Sequence, residues 1–331
     1  MINCHNNSLE YQTTHDWNVA FGAAIAIISL LAVVENGIII LLFYKNPKLR
    51  TPSNKVLLSV VTADWLTGLT VGPFYSAQLL NQQLNHNCIL HNLRHVFGVL
   101  IIGASLSSIV FLTIDRTRHL IKLSKYSMGN CALCVGICAC WFLPLVAAIV
   151  GMQSQALHSV IVFIVGIAVI VIILACYGVI IYALQRHQRN MMNESESGVG
   201  SKRESRSKNL AVNERKAVKM VVLIITCYVI MLLPTFAEKG VHMVRDHSRI
   251  APWENKFHLF TALLLIGNSC VNPIIYTSRL NSFKKSLLKL IGVSANTGER
   301  SGEVVSSSMR RGKTVTQRFS GLYHTRQSVH V

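Results

Sequence analysis

Seven runs of apolar residues, each long enough to cross a bilayer as a helix, leave this chain few ways to fold. They occupy residues 19–44, 55–80, 93–120, 131–152, 160–184, 218–243 and 257–276. A helix covers a hydrocarbon core of ~30 Å with about 20 residues. Lipid offers no hydrogen bonds, so each run must satisfy its own backbone, and only a helix does that within one segment. Of the 331 residues, 51% are hydrophobic and 14% charged, which rules out an ordinary water-soluble domain. The predicted fold class is an all-α membrane protein, a seven-transmembrane helix bundle with an amphipathic eighth helix. Residues 1–16 lack the basic start and apolar centre of a signal peptide, so the first span serves as its own insertion signal.

Charge orients the bundle. With the N-terminus outside, 27 of the 32 Lys and Arg residues fall on the inner side and five (Arg94, Lys239, Arg245, Arg249 and Lys256) on the outer. Cytoplasmic loops carry the basic excess, so the N-terminus is placed outside, in a multi-pass plasma-membrane protein. The net charge of +18 then reflects attraction to anionic inner-leaflet lipids, and a nucleic-acid partner is not implied. The organisation that follows is an extracellular tail over 1–18, a bundle over 19–278 with a flexible inner loop near 190–213, an amphipathic helix over 279–291 and a disordered tail over 292–331. Of nine cysteines, only Cys4 and Cys88 face the oxidising side, so a Cys4–Cys88 disulfide is a hypothesis. Asn6, in Asn6-Asn7-Ser8, is a glycosylation acceptor on that same side.

Polar residues inside the spans are the functional candidates, because they are costly in lipid. At the inner end of the third span, Asp115-Arg116 stands level with Glu214, which leads into the sixth. An Arg offered carboxylates on its own helix and on a movable one makes a latch, and the Pro234 kink supplies the movement. Deeper in, Asp64 has Asn36, Ser105, Asn268, Ser269 and Asn272 at comparable depth on three other spans. A buried carboxylate without a partner is protonated. These oxygens could instead surround a sodium ion, and a neutral hydrogen-bonded network is the alternative. The stretch Asn272-Pro273-Ile274-Ile275-Tyr276 should break helix regularity between cluster and latch. Small residues from Gly98 to Ser108 make the third helix central. Beyond the seventh span, Phe283, Leu287 and Ile291 recur one helical turn apart among Lys284, Lys285 and Lys289, a pattern suited to the membrane surface.

These motifs together resemble the rhodopsin-like (class A) G-protein-coupled receptors. The resemblance rests on Asn36, Leu58-Ser59 to Asp64, Asp115-Arg116-Thr117, Trp141, Tyr177, Pro234 and Asn272-Pro273-x-x-Tyr276. It implies an extracellular ligand and a heterotrimeric G protein as partners, with Asp115, Arg116, Glu214, Tyr177 and Tyr276 in coupling. It also implies an allosteric sodium ion at Asp64. There are departures. Thr117 stands where the family usually has Tyr, and Leu232 where it has Trp, so Tyr228 is the candidate to carry the signal. Cys88 precedes Arg116 by 28 residues instead of 25. The missing fifth-span proline, the short second outer loop and Glu35-Asn36 resemble the melanocortin, cannabinoid and lysophospholipid branch. The turn at 49–54 is more similar to adenosine and amine receptors.

The ligand is less determined. Candidate pocket residues at the outer ends are Arg94, His95, Gly98, Glu238, Lys239 and His258. Amine receptors place an Asp where this chain has Gly98, and opsins a retinal-binding Lys where it has Ile266. An anionic or lipid-like ligand fits better, since Arg94 presents a planar fork to carboxylate or phosphate. The opposing reading is that Arg94 only caps the bundle mouth. Cys131, Cys134, Cys138 and Cys140 sit in an apolar span, where thiols behave as small hydrophobes. His91 and His95 share a helical face with His86 nearby, a pattern that could bind zinc, though no Glu beside them points to hydrolysis. The tail residues Ser301, Ser306, Ser307, Ser308, Thr314, Thr316 and Ser320 are either solvated linker or phosphorylation sites for receptor kinases and arrestin. The rival readings are a seven-helix transporter or channel, an intramembrane enzyme and a silent receptor fold. The first lacks an internal repeat and the second a nucleophile–base set.

Overall fold

The computed structural model describes residues 14–81, 83–84, 87–121, 128–153, 155–196, 222–224, 226–241 and 252–292. Every regular element among them is helical. Seven helices are long and apolar enough to cross a membrane: His15–Lys45, Pro52–Leu80, Cys88–Arg118, Asn130–Gly151, Ser159–Tyr182, Val222–Val241 and Trp253–Ser278. They are called the first to seventh spans below. An eighth helix, Asn281–Leu290, follows. By packing the chain forms two units, Met1–Ser286 and Leu287–Val331. In the second, Leu287 to Gly292 close the eighth helix, with the Ile291 N–H donating to the Leu287 carbonyl at 3.1 Å.

Local chemistry fixes where the helices stop and start. Arg50 ends the first span by donating from Nε to the Phe43 carbonyl at 3.1 Å and from Nη2 to the Tyr44 carbonyl at 2.8 Å. Those carbonyls belong to the last turn, which has no N–H groups left to accept from. Thr51 then caps the second span, accepting from the Asn54 N–H, and Pro52 takes the first helical position, where a missing N–H costs nothing. Asn87 caps the third, its Oδ1 accepting from the N–H groups of Ile89 and Leu90 at 3.0 and 3.1 Å. That cap starts the third span at Cys88, five residues earlier than hydrophobicity alone indicates.

Two further differences have physical causes. The fifth helix runs from Gln155 to Glu196, so the segment 190–196, read from composition as loop, is helical. No Gly or Pro interrupts the chain between Leu184 and Gly198. The remainder of that loop lies outside the described residues. The seventh helix is continuous from Pro252 to Arg279 with Pro273 inside it, so the predicted break at Asn272–Tyr276 is not a break in the helix. The irregularities occur elsewhere. The second and third spans each contain a five-residue π-turn, Thr67–Val71 and Gly98–Ile102. Such turns re-aim the side chains that follow and are frequent at functional sites.

The bundle's interior is both apolar and polar. Ile25, Tyr75, Leu259 and Ile266 join the first, second and seventh spans, while Ala63, Val71, Ile101 and Ala104 join the second and third. Ser76 Oγ donates to the Gly22 carbonyl at 2.8 Å, drawing the first two backbones together. Ile27, Leu30, Val34, Ile164, Val171 and Leu174 point outward, as contact with lipid requires. At the inner corner the buried Phe283 ring packs edge-on against Phe43, with centroids 5.4 Å apart.

Candidate functional site

The centre of the site is Asp64, 1% exposed on the second span just inward of its π-turn. Its Oδ1 accepts from Ser105 Oγ of the third span at 2.9 Å and from Ser269 Oγ of the seventh at 3.3 Å. Its Oδ2 accepts from Asn272 Nδ2 at 2.7 Å. Tyr228 of the sixth span extends the network, its hydroxyl donating to Ser105 Oγ at 3.2 Å. Four spans thus converge on one carboxylate. Asn36 adjoins the cluster differently, donating Nδ2 to the main-chain carbonyl of Ser269 at 2.9 Å. Asn268 is buried, with no hydrogen bond to Asp64 among the described residues. A second polar knot lies inward. Ser59 Oγ is 2.9 Å from Ser108 Oγ and accepts from Trp141 Nε1 at 2.9 Å, linking the second, third and fourth spans.

A small hard cation fits this donor set. The groups around Asp64 are hydroxyl, amide and carboxylate oxygens, the ligand type such ions take. The Oδ1 atoms of Asn36, Asn268 and Asn272 are buried without a hydrogen-bond partner among the described residues. Asp64, Ser105, Ser269 and Asn272 are the residues that would hold it. Elsewhere, among the described residues, no three His, Cys, Asp or Glu side chains gather into a metal site.

At the end of the bundle where the third span closes, Asp115 is 5% exposed and its Oδ2 accepts from Ser53 Oγ at 2.5 Å. Arg116 is partly buried, and its Nε has no hydrogen-bond partner among the described residues. Glu214 lies outside the described residues. Tyr276 is fully buried and its hydroxyl is without a partner there. Tyr177 is 39% exposed and points away from the bundle. Ser53 was not among the sequence candidates. Its signal was present, a hydroxyl opening the second span at the membrane face that holds Asp115.

The opposite end, where the third span begins, has its own polar group. Glu238, 5% exposed, lies 2.7 Å from His258 Nδ1 through Oε1 and accepts from Thr261 Oγ1 at 2.5 Å through Oε2. These contacts clasp the sixth span to the seventh. Tyr75, also missed from sequence, sits between the two basic groups: its ring centroid is 6.2 Å from that of His258 and 4.8 Å from the Arg94 guanidinium carbon. Arg94 Nε is buried without a hydrogen-bond partner among the described residues. One turn inward, a side chain at Gly98 would meet nothing within 4 Å, so the third span borders open space there. His95 shares the partly buried outer turn with Arg94. Lys239 follows Glu238 in the chain, and its positive charge acts on the Glu238 carboxylate. Cys88 is disulfide-bonded, the seven cysteines of the spans are free, and Cys4 and Asn6 lie outside the described residues.

Comparison with known proteins agrees with this arrangement. The family model for the 7 transmembrane receptor (rhodopsin family) matches residues 35–159 and 149–276. The chain belongs to that family. It is 23% identical to a rhodopsin of Camponotus atriceps over 91% of this chain and 84% of that one. It is 22% identical to trace amine-associated receptor 1 of Homo sapiens, over 87% and 93% respectively. The squid rhodopsin crystal structure superimposes with a TM-score of 0.76 at 17% identity, covering 88% of this chain and 91% of that one, a likeness of fold. The protein is a multi-pass membrane receptor of the G-protein-coupled class and not an enzyme.

Proposed function

We propose that this receptor sits in the plasma membrane with its N-terminus outside, takes an anionic extracellular ligand at Arg94, and passes the signal to a heterotrimeric G protein through Arg116. The observation that carries the reading is the Asp64 network, which joins the second, third, sixth and seventh spans midway between the outer and inner polar groups. A ligand acts by favouring one arrangement of such a network over another. In the resting arrangement Arg116 pairs with Glu214, and a sodium ion at Asp64 supplies positive charge to the buried carboxylate.

The ligand class follows from where charge is already spent. Glu238 is engaged by His258 and Thr261, so it is not free to hold a cationic amine. Gly98 stands where amine receptors carry their Asp. Ile266, 2% exposed, stands where retinal-binding members carry their Lys. Arg94 keeps an unpaired buried donor beside the space at Gly98, and a carboxylate or phosphate satisfies it. Outside the described residues, a Cys4–Cys88 bridge would tie the N-terminal tail to the third span, Asn6 would carry glycan, and tail serines would take phosphate from receptor kinases for arrestin.

The test is guanine-nucleotide exchange on purified G-protein heterotrimers by the receptor in lipid nanodiscs. Exchange above the receptor-free rate, lost in Arg116→Ala with the melting temperature kept, supports coupling. Equal rates for both proteins across G-protein classes, with anionic lipids and carboxylates supplied, remove it.

A further inference from the structure

The sixth span is held very unequally on the two sides of Pro234. Outward of the proline the contacts are many. The Phe236 ring fills the position a side chain at Gly166 of the fifth span would need, and Phe163 packs in the same way over Gly240. Glu238 adds its two bonds to His258 and Thr261 of the seventh span. Inward of the proline, Leu232 is buried but has no polar atom to offer. One turn further in, Tyr228 is 2% exposed; its hydroxyl donates to Ser105 Oγ of the third span at 3.2 Å and is also hydrogen-bonded by Asn268 of the seventh.

The bond to Ser105 ends on the Asp64 cluster. The Ser105 hydroxyl accepts from Tyr228 and donates its own proton to Asp64 Oδ1, so its two roles are coupled. Hydrogen bonds in such a chain polarise one another, and whatever changes the demand of Asp64 on Ser105 changes the grip of Ser105 on Tyr228. A proline leaves the backbone at its preceding turn one bond short, which is where a helix bends. An anchored outer half, a bend and a lightly tied inner half make a lever.

We propose that the Tyr228 hydroxyl is the strut that holds the inner half of the sixth span against the third and reports the state of the Asp64 cluster to it. Breaking the Tyr228–Ser105 bond releases the inner half to swing about Pro234 while the Phe236 and Glu238 contacts stay in place. Tyr228 is a positioning residue, acting through the span it holds. The inference rests on the receptor reading above for its signalling readout, though not for its structural one.

Tyr228→Phe keeps the ring and deletes one oxygen, and Ser105→Ala deletes the acceptor. In ligand-free nucleotide exchange at matched receptor amounts, each raises the rate about two- to tenfold, the scale of one net hydrogen bond. The double variant rises by less than the product of the two singles, because both remove the shared Tyr228–Ser105 bond. An unchanged Tyr228→Phe rate, a lower melting temperature with no rise in exchange, or additive effects overturn the strut. If no version exchanges nucleotide, the coupling reading fails and the same cycle is read in thermal melting of the ligand-free receptor. There, non-additive losses uphold the strut, and additive or absent losses overturn it.

Discussion

The side-chain amide of Asn36 donates to the main-chain carbonyl of Ser269 at 2.9 Å, four residues before Pro273. In an α-helix that carbonyl would accept from the N–H at 273, and proline has none. The first span therefore completes the backbone ladder of the seventh, in a medium where an unpaired carbonyl has no water to turn to. Asn36→Leu is expected to lower the melting temperature of the purified receptor, with a cost of about 1–3 kcal/mol for the orphaned carbonyl. Pro273→Ala restores the N–H, so most of that loss should vanish on a Pro273→Ala background. An equal loss on both backgrounds would assign Asn36 some other task.

Asp64 yields a prediction about ions. Sodium at ~100 times its Kd stabilises a folded protein by about 2.7 kcal/mol. Replacing potassium by sodium at constant ionic strength should therefore raise the melting temperature of the wild-type receptor. Asp64→Asn keeps the volume and removes the charge, and the sodium-specific shift should disappear with it. A shift of the same size in the variant would place the cation elsewhere, and no shift in either protein would leave the cluster a neutral network.

Much of this was legible in the chain because a membrane punishes exceptions. Seven apolar runs fix seven helices, and carboxylates inside them stand out against Leu, Ile and Val. The grouping of Asp64 with Ser105, Ser269 and Asn272 follows from depth alone, since residues at one level of a bundle can meet. Depth does not give rotation. Nothing in the sequence says that Asn36 turns to a carbonyl instead of Asp64, or that Tyr177 faces outward at 39% exposure. The π-turns at Thr67–Val71 and Gly98–Ile102 change rotation partway along a span, and no residue pattern marks them. Ser53 and Tyr75 escaped notice because neither is unusual as a residue. Their importance comes from the Asp115 and Arg94 side chains that the fold brings to them. The extent of the fifth helix was missed for the opposite reason: a polar composition reads as loop even where each residue tolerates a helix.

Arg94 is the test of ligand class. Its guanidinium carbon lies over the Tyr75 ring, 4.8 Å from the centroid, and Gly98, which borders open space, follows one helical turn later. A hydrogen bond to a charged group contributes about 1.5–3 kcal/mol, so Arg94→Ala should weaken an anionic agonist roughly ten- to hundredfold. Arg94→Lys should recover only part of this, because an ammonium lacks the planar fork and stacks less well. Once an agonist is found, its dose–response curve in the three proteins decides. An agonist indifferent to both substitutions binds elsewhere, and Arg94 is then a cap on the bundle mouth.

The inner latch makes the last prediction, and the partners of Asp115 sharpen it. Asp115 is bound to Ser53 at 2.5 Å, so the second span competes with Arg116 for its carboxylate. An Arg116 whose neighbouring carboxylate is shared needs another, and Glu214, which precedes the sixth span in the chain, is the one the sequence offers. Ion pairs near a water boundary contribute about 0–1 kcal/mol, so Glu214→Ala should raise ligand-free nucleotide exchange by no more than about fivefold. The effect should shrink as salt is raised, since an exposed pair is screened within ~10 Å at 0.1 M. The Tyr228→Phe effect, arising from a buried neutral hydrogen bond, should not shrink. Measuring both variants across a salt series separates the two restraints on the sixth span. Unchanged basal exchange in Glu214→Ala at every salt concentration, with matched receptor amounts, would leave Tyr228 as the restraint and remove Glu214 from the latch.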